Sequence, residues 1–192
     1  VVSIFGHPEK EARKVVLIGG GSVGSEVATM IDYSTAKINL TVIENNASNA
    51  SFLADKLKNV RVLKGSGVDR DILHEADIEN TETLVSLTDS DETNFLSAAF
   101  SSSEGCKRSL ALLNNSDFQS LIKSLKIGEF IDPKAITISS ILRHVRKGHI
   151  KRIYSLTEGN AEVIEGEVSV SSELIGPSIE EMQLPSGLRI GG

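Results

Sequence analysis

Residues 14–31 read KVVLIGGGSVGSEVATMI, and this stretch decides the fold. Val15, Val16, Leu17 and Ile18 form an unbroken apolar run, as in a strand buried on both faces. Three glycines follow, Gly19, Gly20 and Gly21, and then Ser22, Val23 and Gly24 open a segment of helical period. Val23, Val27, Met30 and Ile31 recur at i, i+4, i+7 and i+8, which predicts a helix over 22–31 with these four side chains on its buried face. Gly19, Gly21 and Gly24 satisfy GxGxxG in the strand-to-helix context that this motif requires. In that reading Gly19 permits the tight turn, Gly21 lets backbone approach a pyrophosphate and Gly24 lets helix and strand pack closely. The free amides of the helix N-terminus, with their partial positive charge, face the phosphates. A glycine turn without a ligand is the competing reading.

Outward from this unit the pattern repeats. Strands are predicted at 38–44 (INLTVIE), 60–63, 83–87, 109–113 and, briefly, 129–131. Between them lie helices carrying Phe52, Leu53 and Leu57; Ile72 and Leu73 behind an Asp69 cap; Phe95, Leu96, Ala99 and Phe100 behind the Thr88-Asp89-Ser90-Asp91 turn; and Phe118, Leu121, Ile122 and Leu125. Pro133 starts a last helix, 135–147. Strands alternating with helices at this spacing predict an α/β fold, a Rossmann-type doubly wound parallel sheet over 14–148. Beyond it, two strands flank the Glu158-Gly159-Asn160 turn, and a loop-rich tail follows. Residues 1–13 read as a charged linker, and 149–192 as the opening of a second, smaller domain.

Ligands of open parallel sheets sit at the carboxyl ends of the strands. Glu44 ends the second strand, twenty residues past Gly24, where a carboxylate can hydrogen-bond both ribose hydroxyls. Asn45 and Asn46 follow it, with no Arg to meet a 2′-phosphate, so NAD or another plain adenosine nucleotide is favoured over NADP. A solvated strand end is the alternative for Glu44. Gly65 and Ser66 end the third strand, where an adenine ring would rest, and Thr88 and Asp89 end the fourth. For Ser66, Thr88 and Asp89, turn and capping roles compete equally with ligand contact.

Composition bounds the remaining possibilities. The chain has 192 residues, a net charge of −6, 40% hydrophobic and 24% charged residues, which is a globular composition and not a disordered one. No apolar run approaches the roughly 20 residues of a membrane span, and the first residues lack a signal-peptide pattern. A calculated pI near 5.3 argues against a nucleic-acid partner. Cys106 is the one cysteine, which fits a reducing cytoplasm, and it reads as a surface or half-buried thiol in a polar loop. His7, His74, His144 and His149 form no ligand pair, so no metal site is expected. No GxSxG elbow is present and no catalytic residue is expected. In the last helix Ile138, Ile141, Leu142 and Val145 form an apolar stripe, which either covers the sheet or meets a partner subunit. The basic residues Arg143, His144, Arg146, Lys147, His149, Lys151 and Arg152 lie in or just after it.

Five segments in order, VVLIGGGSVGSEVA, TVIENN, KGSGVDRDIL, SLTDSDETNFLSA and IDPKAITISSILRHVRKGHI, resemble the TrkA regulatory subunits of bacterial Trk potassium uptake systems, within the RCK/KTN family. The opening VVSIFGHPEKEARKVVLIGGG resembles the junction before the second of that family's two tandem nucleotide-binding halves. The resemblance implies an RCK N-terminal domain over 14–148, then a crossover and a partial RCK C-terminal subdomain over 149–192. It implies binding of NAD(H) or ATP/ADP without turnover, dimers that build a larger ring, and control of a TrkH/TrkG-like membrane potassium translocator from the cytoplasmic face of the cell membrane. The family's glycine loop maps onto Gly19, Gly21 and Gly24, its ribose acid onto Glu44 and its strand-four turn onto Thr88 and Asp89; the expected nucleotide site also takes in Gly20, Ser22, Val23, Asn45, Gly65 and Ser66. Gly65-Ser66 departs from the Gly-Asp that many members carry there. A nicotinamide-dependent oxidoreductase is the alternative of another class, although it would need a substrate domain and a proton-transfer residue. A protein-interaction module whose glycine loop binds nothing is a third.

Overall fold

The structure, a computed structural model, describes residues 12–35, 37–145, 150–156 and 161–168, and the single positions 170, 172, 175, 176 and 178. The lead-in before residue 12, the turn at 158–160 and the tail beyond 178 lie outside the described residues. So do residues 146–149 and the side chains of the other basic residues around them.

Six parallel strands form one sheet: β1 (Lys14–Ile18), β2 (Asn39–Glu44), β3 (Val60–Lys64), β4 (Thr83–Ser86), β5 (Arg108–Leu112) and β6 (Glu129–Ile131). Their order is β3-β2-β1-β4-β5-β6, with Val16 opposite Thr41 on one side and Leu84 on the other. The strand sequence therefore reverses direction between β1 and β4, the switch point where ligands of such sheets bind. Helices α1 (Ser22–Asp32), α2 (Ala47–Lys56), α3 (Arg70–Glu75), α4 (Asp91–Ser103) and α5 (Ser116–Leu125) provide the crossovers, with a single turn of 3-10 helix at Ile78–Asn80.

The unbroken apolar run of β1 is explained by two cores. Val15 and Leu17 pack with Ala28, Leu40, Val42, Leu53 and Leu57, whereas Val16 and Ile18 pack with Ile43, Leu73, Ile78 and Leu84 on the opposite face. Alternate residues of one strand thus enter different cores. A third cluster joins Phe95, Ala98, Ala111, Leu113 and Ile122 between α4, β5 and α5.

Several expectations are corrected. Val23 and Met30 are 50% and 67% exposed, not buried; α1 instead turns Gly24 and Ala28 inward, with Val27 and Ile31 partly covered. Close approach of α1 to the glycine loop selects the smallest residues for the inner face. Cys106 is a core residue, clustered with Val16, Ile18 and Leu84, and its amide donates to the Ser101 carbonyl of α4 at 3.0 Å; burial pushes its thiol pKa up.

The chain divides into two compact units, one ending at Pro133 and one beginning at Lys134. The second contains nearly all of α6 (Pro133–Val145) and the antiparallel hairpin of β7 (Ile150–Leu156) and β8 (Ala161–Gly166). In α6, Ile136, Ile138 and Ile141 are more than half exposed. No helix among the described residues is long and apolar enough to cross a membrane.

Candidate nucleotide site

Four loops meet at the carboxyl edge of the sheet. The first is the glycine loop between β1 and α1. Gly19 has φ +99°, a left-handed conformation, and a Cβ there would lie 3.0 Å from the Thr88 amide nitrogen and 3.1 Å from the Leu87 carbonyl. Glycine is thus demanded twice, by backbone conformation and by the β4 loop pressed against it. A Cβ on Gly24 would fall 1.8 Å from the Gly19 carbonyl oxygen, so the first turn of α1 lies directly on the strand end. Gly21 differs: its φ of −67° is ordinary, and a Cβ would meet nothing within 4 Å. The space in front of Gly21 is open, and Ser22 and Val23 beside it are exposed.

Asn46, Asp69, Ser90 and Asn115 cap α2, α3, α4 and α5 with their side chains. By contrast α1 begins at Gly21 with no side-chain cap. Its first-turn amides, which an α-helix leaves without intrahelical acceptors, therefore face the open space. An anion with several oxygens complements such a group of donors and the helix dipole. The site fits a phosphorylated ligand on these grounds.

Glu44 is only 8% exposed, which excludes the solvated strand end. One carboxylate oxygen accepts the Gly20 amide proton, and the other accepts from the Asn46 amide at 2.6 Å. Gly20 makes room for this, since a Cβ there would lie 3.0 Å from the same Glu44 oxygen and 2.5 Å from Leu53. Glu44 thereby ties the end of β2 to the glycine loop while keeping lone pairs for a further donor. Asn45 is exposed next to it.

Gly65 and Ser66 lie at the end of β3, where the Gly65 amide donates to the Glu44 carbonyl at 3.0 Å. Ser66 serves the turn itself: its carbonyl accepts from the Asp69 amide at 3.1 Å. Gly67 crosses β1 closely, for a Cβ would sit 2.2 Å from Ile18. Thr88 is half-buried and Asp89 exposed at the end of β4.

Sequence reasoning missed Asn94, which has no exposed surface. Its carboxamide oxygen accepts from Ser86 Oγ at 3.0 Å, the Thr88 amide at 2.9 Å and Thr88 Oγ1 at 2.7 Å. Its NH2 donates to the Thr88 carbonyl at 3.0 Å and the Leu112 carbonyl at 2.8 Å. An asparagine in the second turn of a helix was a signal in the sequence, because its amide competes with the backbone and is ordinarily placed elsewhere.

A family model for the TrkA-N domain matches residues 15–133. The Trk system potassium uptake protein TrkA of Azorhizobium caulinodans is 36% identical over 190 residues, covering 99% of this chain and 42% of that protein. This chain spans less than half the length of the curated relatives it matches. Among solved structures, the TrkA-N domain of the inner membrane protein YbaL from Escherichia coli is similar with a TM-score of 0.63 and 17% identity, covering 72% of this chain and all of that one. A GsuK channel bound to NAD is similar with a TM-score of 0.60 and 14% identity, covering 79% of this chain and 26% of that one. At these identities the two structures establish the shared fold.

Proposed function

The chain belongs to the TrkA-N domain family, and from that premise we propose that it is a non-enzymatic regulatory module of a potassium uptake system that binds NAD(H) or another adenine nucleotide, ATP or ADP. The observation that carries this reading is the open space at Gly21 in front of the uncapped α1. The pyrophosphate lies there on the first-turn amides, and the ribose reaches Glu44. Loop residues Gly19 to Gly24, with Asn45, Gly65, Ser66, Thr88 and Asp89, surround the nucleotide. The name shared by the relatives supports the potassium-uptake role, and the bound NAD of the GsuK channel supports the ligand.

In the whole protein, nucleotide occupancy favours one arrangement of domains over another, and a TrkH/TrkG-like membrane translocator senses the difference at the cytoplasmic face. Assembly by dimers into a ring carries that change between subunits. The domain plan remains the one drawn from the sequence, with a linker over 1–13, a nucleotide domain to 148 and the opening of a C-terminal subdomain after it. The charged opening supports placing this chain as the second nucleotide-binding half.

The test is calorimetric titration with NAD, NADH, ADP and ATP, paired with an assay for cofactor turnover. Binding without turnover is expected, and it should disappear in a folded Gly21→Asp variant, whose carboxylate opposes the pyrophosphate. Hydride transfer to a small substrate would favour the oxidoreductase instead.

A further inference from the structure

We propose that Asn94 is a positioning residue for nucleotide binding, one that sets affinity through the turn at Thr88 without touching the ligand. The inference rests on the nucleotide reading given above. Three of the Asn94 hydrogen bonds end on Thr88, at its amide, its hydroxyl and its carbonyl. Both peptide groups of that residue are thus held by one side chain. Thr88 is also the residue against which the glycine loop rests, since its amide nitrogen lies 3.0 Å from the place of a Gly19 Cβ. The separation of the β1 and β4 loops, which bounds the crevice at the switch point, therefore depends on where Asn94 holds Thr88.

The anchor itself is firm. Asn94 is fully buried, its amide donates to the Leu112 carbonyl at the end of β5, and its oxygen accepts from the fully buried Ser86 hydroxyl within β4. One turn earlier, Asp91 accepts from the amides of Asn114 at 2.9 Å and Asn115 at 2.7 Å. The start of α4 is thereby tied to the ends of both β4 and β5. A buried amide with every polar atom engaged has one stable placement, because any other leaves unpaired groups in a dry interior. Leu at this position would fill similar space, yet it could not hold the two Thr88 peptide groups. The side chain is too deep to reach a ligand, so its effect on binding is indirect.

The experiment is calorimetric titration of the chain with NAD, accompanied by urea unfolding of each variant. Asn94→Ala, at a temperature where circular dichroism shows it folded, is expected to weaken NAD at least tenfold. Ser109→Ala is the control: Ser109 is 3% exposed and donates to the Ile127 carbonyl at 2.8 Å, remote from Thr88 in the network. It should lower stability while leaving the NAD dissociation constant within twofold. Ser86→Ala removes one anchor of the Asn94 oxygen and should weaken NAD by a smaller factor, two- to fivefold. If Asn94→Ala fails to fold, Ser86→Ala decides alone. Wild-type affinity in the folded Asn94 variant, or in Ser86→Ala where that variant decides, overturns the positioning role. A wild-type chain that binds no NAD, ADP or ATP overturns the nucleotide reading and this inference together.

Discussion

Gly24→Ala and Gly21→Ala change the same motif by the same methyl group and should have opposite consequences. At Gly24 the added carbon would lie 1.8 Å from the Gly19 carbonyl oxygen, with Leu17 Cδ2 at 3.2 Å on its other side. A carbon and a carbonyl oxygen need about 3.3 Å, so α1 and the strand end must part by about 1.5 Å. The methyl cannot turn aside, because Cβ is fixed by the backbone. That displacement withdraws Ala28, Val27 and Ile31 from the core formed with Leu17, Leu40 and Leu53. Overpacking of a closed core costs about 1–3 kcal/mol, and the obstacle here is backbone, so about 3 kcal/mol or more is expected. For a chain of this size that lowers the melting temperature by roughly 6–12 °C. At Gly21 the methyl meets nothing within 4 Å, and stability should move by no more than about 1 kcal/mol, the span of N-cap preferences between Gly and Ala. Nucleotide affinity should nevertheless fall, since the methyl occupies the approach to the helix amides. Thermal unfolding by circular dichroism and NAD titration of both variants measure the two effects. A Gly24→Ala chain that melts within 2 °C of wild type would refute the close-packing reasoning.

Glu44→Ala should weaken NAD and narrow its advantage over NADP, because the carboxylate that repels a 2′-phosphate is gone. It should also lower stability by about 1–3 kcal/mol, since the Gly20 amide loses its acceptor; unchanged affinities for both cofactors would dismiss the ribose contact. Stability should decline as pH falls below the ordinary carboxyl range. Amide donors from Arg13 and Lys14 hold the Glu82 pKa below 4.5. The Lys14 ammonium holds Asp77 below 3.8, and the amides of Lys58 and Asn59 do the same for Asp32. Each contributes stability that is present above its unfolded value and lost as pH falls through the lower folded value. Glu82→Gln should therefore flatten the acid limb of a melting-temperature profile, and an unaltered limb would assign it elsewhere. Ile141 of α6 is 55% exposed, so Ile141→Asp should leave helical circular dichroism intact while converting a dimer to a monomer in light scattering. A monomeric wild type would remove the dimer claim.

Local pattern by itself determined the order of the elements and their parallel arrangement, and it assigned the candidate site to the carboxyl edge of the sheet. An unalternating run such as 15–18, too short for a helix and closed by three glycines, reads as a strand covered on both faces, and helices between parallel strands supply that double cover. The glycine loop was legible for the same reason, because turn geometry and helix start are set within a few residues. Tertiary structure alone decided which side of α1 faces inward, since the contact of Gly24 with the Gly19 carbonyl outweighs the apolar periodicity of Val23 and Met30. It decided that Glu44 is a buried tie to the loop, through a bond to Gly20 twenty-four residues away in sequence. It placed Cys106 in a core with Val16 and Leu84. Asn94 is the clearest case: its composition and spacing announce a polar helix residue. Its burial follows from Leu112, eighteen positions on, whose carbonyl exists at that point only after β5 has paired with β4.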